Sequence, residues 1–387
     1  MKIGISAIHV VPRKSGSHEP YMINFVHALA QLKTQHKFTL FVTPANQSLF
    51  ESARGKMDIV VYPKLVERVL PRILFEQLGL PIDIYRRKID VMHYPGTASS
   101  IFIRPSDVVT VHHDSITQRA SMTAMHNLYY DIVFRINKRA GKLIAPSRVY
   151  ADQLVQYFRF KPEQMCPIHH GVNPAFREAS FVDLVNVQEQ YGIEKNAILT
   201  VTNTLPHKNI SNLLQAYEIL LSKYGLNNQL VMVGYVDEDI LDTLIKRIAS
   251  DPEKMRSRIK VISFMPHEQL PPIYFASSYF VFYSLTETFG MPIVEALASG
   301  LPVVASDIPV QREILSDGGE LVSPEKPESL ASKLYMLITD MSIRERMKKT
   351  AIARSLSFSW EQTALQTVQV YENAYSSYTK IRKGQEK

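Results

Sequence analysis

Cysteine is almost absent. The 387 residues contain one, Cys166, so no internal disulfide forms and the fold must stand on its buried core. A lone thiol fits a reducing compartment, and a cytoplasmic location is the expectation. Long apolar runs are missing too. No window approaches the ~18 consecutive apolar residues of a membrane-spanning helix. The N-terminal MKIGISAIHVVPRKSG has too short an apolar run, and no small-residue cleavage site, for a secretory signal; it reads as a strand. Low-complexity tracts and short repeats are lacking. So are stripes of interleaved aromatic and basic residues and a reader-helix motif, which counts against a nucleic-acid-binding protein. No residues stand at metal-ligand spacing. The one acidic run of note, VDED at 236–239, opens a helical stretch and reads as an N-terminal cap.

What is present is globular: 45% hydrophobic and 21% charged residues, in a chain too long for one ordinary core. Two domains are expected. Charge is uneven between them. Residues 1–177 carry 23 Lys and Arg against 12 Asp and Glu; the remainder carries 21 against 25. Ten of the 12 histidines also fall in the first part. Such asymmetry suits an anionic partner for the N-terminal half: a nucleic acid, an anionic membrane surface or a phosphate-bearing substrate.

Short apolar runs alternate with amphipathic stretches. KIGISAI, KFTLFVT, VVTVHH and KLIAPS read as strands. EPYMINFVHALAQL, with Ile23, Val26, His27 and Ala30 in one stripe, and NLYYDIVFRINKRA read as helices. The rhythm pauses over 169–184 and restarts with AILTVTN, QLVMVG, RIKVISF, SYFVFYS and LPVVAS. Between them lies a helix with Ile210, Leu213, Leu214, Tyr217 and Leu221 on one face and Gly225 beyond its end. Apolar runs without strict alternation suit strands covered on both faces, hence parallel sheets. The expectation is α/β: two doubly wound, Rossmann-like domains, 1–177 and 178–371, with a C-terminal helix 372–387 returning to the first. Ligands bind beyond the carboxyl ends of such strands, so a site facing an interdomain cleft is expected.

The most informative stretch is ETFGMPIVEALASGLPVVASD, Glu287–Asp307. It follows a strand and leads through a turn into a helix and another strand. Pro292 suits a first helical position. Gly290 lets the backbone approach a ligand, and the helix start favours an anion such as a diphosphate. Glu295, placed in the first helical turn, suits a diol such as ribose hydroxyls. Glu287, before the turn, suits sugar hydroxyls or developing positive charge at an anomeric carbon. Taken alone, the two glutamates equally fit a complement to the helix dipole and a solvated loop residue.

This stretch closely resembles the signature of the GT4 family of retaining glycosyltransferases: Glu, seven residues, Glu, with F-G-x-P between and G-x-P-V-V after. Further segments follow in family order: DVMHYPG, VVTVHHDS, LIAPSRVYADQL, IHHGVNPAF, NTLPHKNISNLLQAY and SFMPHEQLPPIYFAS. The resemblance implies a GT-B fold and transfer of a hexose from a nucleoside-diphosphate sugar, UDP-glucose first and GDP-mannose second, to a saccharide or lipid-linked acceptor. It implies that Glu295 binds the ribose, and that Glu287 with the backbone of Phe289, Gly290 and Met291 holds sugar and diphosphate ahead of Pro292. Lys208 would neutralise the leaving diphosphate. His113 would contact the donor sugar, with Asp114 orienting its loop, and Phe264, beside Met265 and Pro266, would border the base. His112 and His113 point to opposite faces if both lie in a strand, so one of them faces the site. A metal site is the rival reading of these histidines.

Two positions depart from the family. A frequent Arg ahead of the lysine is Asn203 here, leaving Arg13, Lys14 or His207 as substitute cations. The first loop, RKSGSHEP, has only Gly16 where paired glycines are usual. Apart from the VDED read as a cap, no D-x-D-like metal motif stands in the sequence and, as in the family, no cofactor or divalent metal is implied. No separate base is implied either, because in the family's front-face chemistry the leaving phosphate takes the acceptor proton. The acceptor is expected on the basic N-terminal half. There KLVERVLPRILFEQLGLPIDIYRRK sets apolar residues beside Lys64, Arg68, Arg72, Arg86, Arg87 and Lys88. It suits either an anionic membrane surface or an ordinary basic outer face. Two rivals share this architecture: a nucleotide-sugar epimerase, and a degenerate sugar-nucleotide-binding module without turnover.

Overall fold

The structure is a computed structural model, and it describes residues 1–13, 18–112, 123–178 and 183–385. The chain forms two compact units. Unit 1 comprises Met1–Gly171 and Ser359–Lys387, and unit 2 comprises Val172–Phe358.

Unit 1 is built on β1 (Lys2–Ser6), β2 (Lys37–Val42), β3 (Asp58–Val61), β4 (Val91–Tyr94), β5 (Val108–Thr110), β6 (Lys142–Ala145) and β7 (Met165–Pro167). Their order is β3-β2-β1-β4-β5-β6-β7, and every pairing is parallel. Unit 2 is built on β8 (Ile198–Val201), β9 (Leu230–Val233), β10 (Ile259–Ile262), β11 (Tyr279–Phe282), β12 (Val303–Ser306) and β13 (Glu320–Val322). Here the order is β10-β9-β8-β11-β12-β13, again all parallel. Central strands β4, β9, β11 and β12 are buried at every residue. That is why they read as unbroken apolar runs. In each sheet the order reverses beside the first strand, between β1 and β4 and between β8 and β11. This switch point is where open α/β sheets bind ligands.

Two details differ from the sequence reading. In the helix His18–Gln31 the buried stripe is Met22, Phe25, Val26 and Leu29, while His27 is exposed. The helical period was legible, but apolar residues lie on more than one face and the phase slipped by one position. The division of the chain also falls elsewhere than 177/178 and 371/372. Residues 172–177 belong to unit 2, where the Phe176 ring lies 5.4 Å from His267 and 5.1 Å from Tyr274, and Arg177 donates to the Ser355 carbonyl at 2.8 Å. The returning helix starts at Trp360, well before 372. Trp360 stacks on His170 at 5.8 Å, Thr363 donates to the His169 carbonyl at 2.7 Å, and Tyr371 bonds His93 at 2.7 Å. These contacts tie the whole helix into unit 1.

Candidate functional site

The site residues of unit 2 converge on the loops that leave β8 and β11, flanking the switch point. After β8, a single turn Pro206–Lys208 ends in Asn209 at φ +58°, whose side chain donates to the Pro324 carbonyl at 2.8 Å. After β11, Leu285 donates its N–H to the His207 carbonyl at 2.8 Å. This clips the two loops together and aligns their side chains. Lys208 Nζ lies 2.6 Å from Glu287 Oε1, and each side chain is 15% exposed. The ammonium also sits 5.1 Å from the centre of the Phe282 ring. It is held by one carboxylate and an aromatic face, and it remains accessible to a second anion.

Gly290 begins the helix Met291–Ala298 with φ +103° and ψ 56°, a backbone that side-chain-bearing residues rarely adopt. Pro292 occupies the first turn, as expected, and Met291 and Pro292 are half-buried. The first N–H groups of a helix have no partner within it, and the dipole makes this end favourable for anions. Phe289 is buried, 6.0 Å from Phe358 in an edge-on contact. Its side chain therefore anchors the loop.

Glu295 differs from the sequence reading. It lies in the second helical turn rather than the first and is only 3% exposed. His267 Nε2 donates to its Oε1 at 2.7 Å, and the Tyr274 hydroxyl to its Oε2 at 2.7 Å. Burial, then the adjacent Glu295 charge, holds the Tyr274 hydroxyl well above the ordinary tyrosine range. A dipole complement at the helix start does not describe this residue. Each carboxylate oxygen keeps a second lone pair beyond the bond it accepts from His267 or Tyr274.

Phe264, at the end of β10, is 38% exposed and stacks on Tyr235, at the end of β9, with centroids 4.6 Å apart and planes 11° from parallel. The pair makes a flat, half-open aromatic ledge. Met265 is buried core and Pro266 precedes the turn that carries His267. Asn203 uses its Oδ1 to accept from Leu205 N–H at 3.0 Å, so it shapes its own loop. The sequence reading missed Tyr235, His267 and Tyr274. The signal for Tyr235 was its place just after a strand; the other two carry no local signal.

In unit 1, His113, Asp114, Gly16 and Lys14 lie outside the described residues. Arg13 has φ +61° and donates its backbone N–H to Glu19 Oε2 at 2.6 Å. His112 joins an aromatic cluster beyond the carboxyl ends of the strands. Its ring is 4.8 Å from His18, 5.1 Å from His170 and 4.4 Å from Tyr21. His18 is 6.0 Å from His9. Burial first, then neighbouring charge, pushes His9 and His170 down to about 3 and His112 well below its ordinary range. Among the described residues, no group of three or more His, Cys, Asp or Glu is placed to hold a metal ion. No helix among them is long and apolar enough to cross a membrane.

Comparison with known proteins matches both units. The family described as Glycosyltransferase Family 4 matches residues 18–176, and Glycosyl transferases group 1 matches residues 186–354. The O-antigen chain mannosyltransferase B of Escherichia coli is 27% identical over 236 residues, 60% of this chain and 61% of that protein. A D-inositol 3-phosphate glycosyltransferase of Streptomyces bingchenggensis is 29% identical over 257 residues, 63% of this chain and 55% of that protein. The matches thus span less than two thirds of these relatives. In fold, the chain resembles Anabaena HepE in complex with UDP and glucose, with TM-score 0.72, 19% identity, and 96% of this chain and 99% of that one covered.

Proposed function

The chain belongs to the family 4, group 1 glycosyltransferases of GT-B fold, and from that premise we propose that it moves a hexose from a nucleoside-diphosphate sugar to a hydroxyl of a saccharide or lipid-linked acceptor, with retention. The observation that carries this reading is the Lys208–Glu287 pair, 2.6 Å apart at the switch point beside the Gly290 turn. A diphosphate arriving at the helix start takes Lys208 as its counter-ion. Glu287 is then released to accept from hydroxyls of the transferred sugar. Glu295, fixed by His267 and Tyr274, accepts from the ribose hydroxyls, and the Phe264–Tyr235 ledge borders the base. The backbone N–H groups at the helix start and the Lys208 ammonium stabilise charge as the sugar–phosphate bond breaks. The leaving phosphate oxygen takes the acceptor proton, so no separate base and no divalent metal is assigned.

UDP-glucose and GDP-mannose are the two donors to test. A relative is named a mannosyltransferase and a fold neighbour holds UDP and glucose. Both sugars are measured for turnover with and without a chelator. Donor-dependent transfer that survives chelation and is lost in Lys208→Ala supports the reading. Nucleotide binding without any turnover makes the protein a sugar-nucleotide-binding module instead, and Lys208→Ala acting like the parent overturns the assignment of roles.

A further inference from the structure

Residues 69–87 of unit 1 run as one helical stretch: Val69–Leu74, a widened turn Phe75–Gly79, then Leu80–Arg87. A surface helix normally turns its apolar stripe inward. Leu80 and Ile84 do so. Yet Leu70, Leu74, Leu78, Ile82 and Tyr85, recurring every three or four residues, form a second stripe that is 54–85% exposed. The helix Ala124–Asn137 repeats the arrangement. Val133, Phe134 and Asn137 are buried, while Met125, Leu128, Tyr129 and Ile132 are 46–75% exposed.

The loop bearing exposed Ile101 and Phe102 lies between the first stripe and the end of the second helix. Ile101 N–H donates to Gln77 Oε1 at 2.7 Å, and Arg139, just past the end of the second helix, donates to the Ile101 carbonyl at 3.0 Å. A cavity of about 530 Å³ opens between Leu78, Ile82, Tyr85 and Phe102. Contiguous exposed apolar surface of this kind marks an interaction site.

Charge identifies the occupant. Lys64, Arg68, Arg86 and Lys88 are exposed around the first stripe. The nearby acids are hydrogen-bonded or shifted toward the neutral form. Glu67 accepts from Ala45 N–H, and Asp83 is bonded by Tyr62 and Arg87. Burial pushes the Glu76 carboxyl up to about 7. An apolar stripe rimmed by cations suits an anionic interface, with apolar side chains entering the acyl boundary and Lys and Arg at the headgroups. A second copy of the chain would set cationic rim against cationic rim.

We propose that these two stripes, with the loop between them, form a docking surface for an anionic lipid bilayer. The inference rests on the glycosyltransferase reading only for its use, which is to bring unit 1 to a lipid-linked acceptor. Its test requires neither donor nor turnover. Full-length protein is sedimented with phosphatidylcholine vesicles, with or without phosphatidylglycerol, in low and high salt. Two variants are compared: Leu70→Ser/Leu74→Ser/Ile82→Ser and Arg68→Gln/Arg86→Gln. All five positions are exposed, and an unchanged unfolding midpoint reports that each variant folds. The expected result is binding to the anionic vesicles only, weakened roughly tenfold or more by either variant and by salt. Equal binding to both vesicle types, or none to either, overturns the proposal. So does a dimer in analytical ultracentrifugation that the Leu/Ile variant dissolves, because the face would then belong to a second copy.

Discussion

Acid should unfold unit 1 well before general acid denaturation, because the unit buries histidines that cannot keep a proton. His9, His93 and His170 are held down at about 3 and His112 well below the usual range, burial being the first cause in each. His93 is buried with both ring nitrogens engaged, Nδ1 by Tyr371 at 2.7 Å and Nε2 by Thr110 at 2.8 Å. In the unfolded chain each imidazole titrates near ~6.5. Above that pH neither state is protonated and the full stability is present. As pH falls below ~6.5 the unfolded state binds protons that the folded state refuses, and stability drops by about 1.4 kcal/mol per pH unit per group. At pH 5 that amounts to about 2 kcal/mol for each imidazole, or about 6 kcal/mol for His9, His93 and His170, and His112 acts in the same direction.

Glu76 works the other way. Its carboxyl is raised to about 7 by burial, so the folded state gains protons first. Between pH 7 and 5 this returns about 2 kcal/mol. Asp107, also raised by burial, acts in the same direction. The net loss of about 4 kcal/mol is a large part of the stability of a domain, typically ~5–15 kcal/mol. For a unit of this size it corresponds to a fall in Tm of roughly 8–16 °C. Differential scanning calorimetry of the full chain at pH 7.5 and pH 5.0 measures it, with the unit 1 transition expected to move. A unit 1 transition that shifts by less than about 3 °C would refute the reasoning, since the imidazoles would then be protonating freely in the folded state.

Three further outcomes follow from the unit 2 geometry. Lys208→Ala should lower kcat by about 100-fold or more in a donor turnover assay, through lost stabilisation of the leaving diphosphate; an unchanged kcat removes the lysine from the mechanism. Tyr274→Phe leaves Glu295 Oε2 without its buried donor and should cost about 1–3 kcal/mol in urea unfolding while raising the donor KM; a parent-like KM means that the tyrosine serves packing alone. Gly290→Ala places a Cβ on a backbone at φ +103° and should cost about 1–3 kcal/mol of stability and weaken nucleoside diphosphate in a calorimetric titration; a parent-like protein would show that the turn needs no glycine.

The central strands of the two parallel sheets were legible because they are buried on both faces and read as apolar runs, whereas the edge strands β3, β7 and β13, only partly buried, were not read. The start of the helix at Met291 was legible for another reason: a glycine and a proline two positions apart leave few other backbones. Sidedness was harder. In His18–Gln31 and again in 69–87, apolar residues occupy more than one face. Period alone then identifies a helix without saying which stripe is inside. The division of the chain was blurred by Phe176 and Trp360, single aromatic anchors that recruit their flanking residues to one unit or the other. The partners of Glu295 were invisible for the plainest reason. His267 and Tyr274 stand 28 and 21 residues earlier, one in a short turn and the other in the helix Pro271–Ala276, and nothing local marks them as neighbours of Glu295.

Those hidden partners separate two glutamates that look equivalent in the motif. Glu287 is held by a single cation in a mostly buried pair that keeps some access to solvent. In the proposed mechanism a diphosphate, with more negative charge than one carboxylate, takes Lys208 as its partner and Glu287 becomes available once the donor has arrived. Glu295 is held by an imidazole N–H and a hydroxyl, neither of which a ligand needs to displace. Its remaining lone pairs point from a fixed position, and its orientation costs no entropy when ligand binds. One glutamate is therefore a partner-switching group and the other a preset one. The asymmetry matches what the proposed chemistry asks of them: a ribose is recognised in one geometry throughout, whereas the transferred sugar changes its charge and bonding during the reaction.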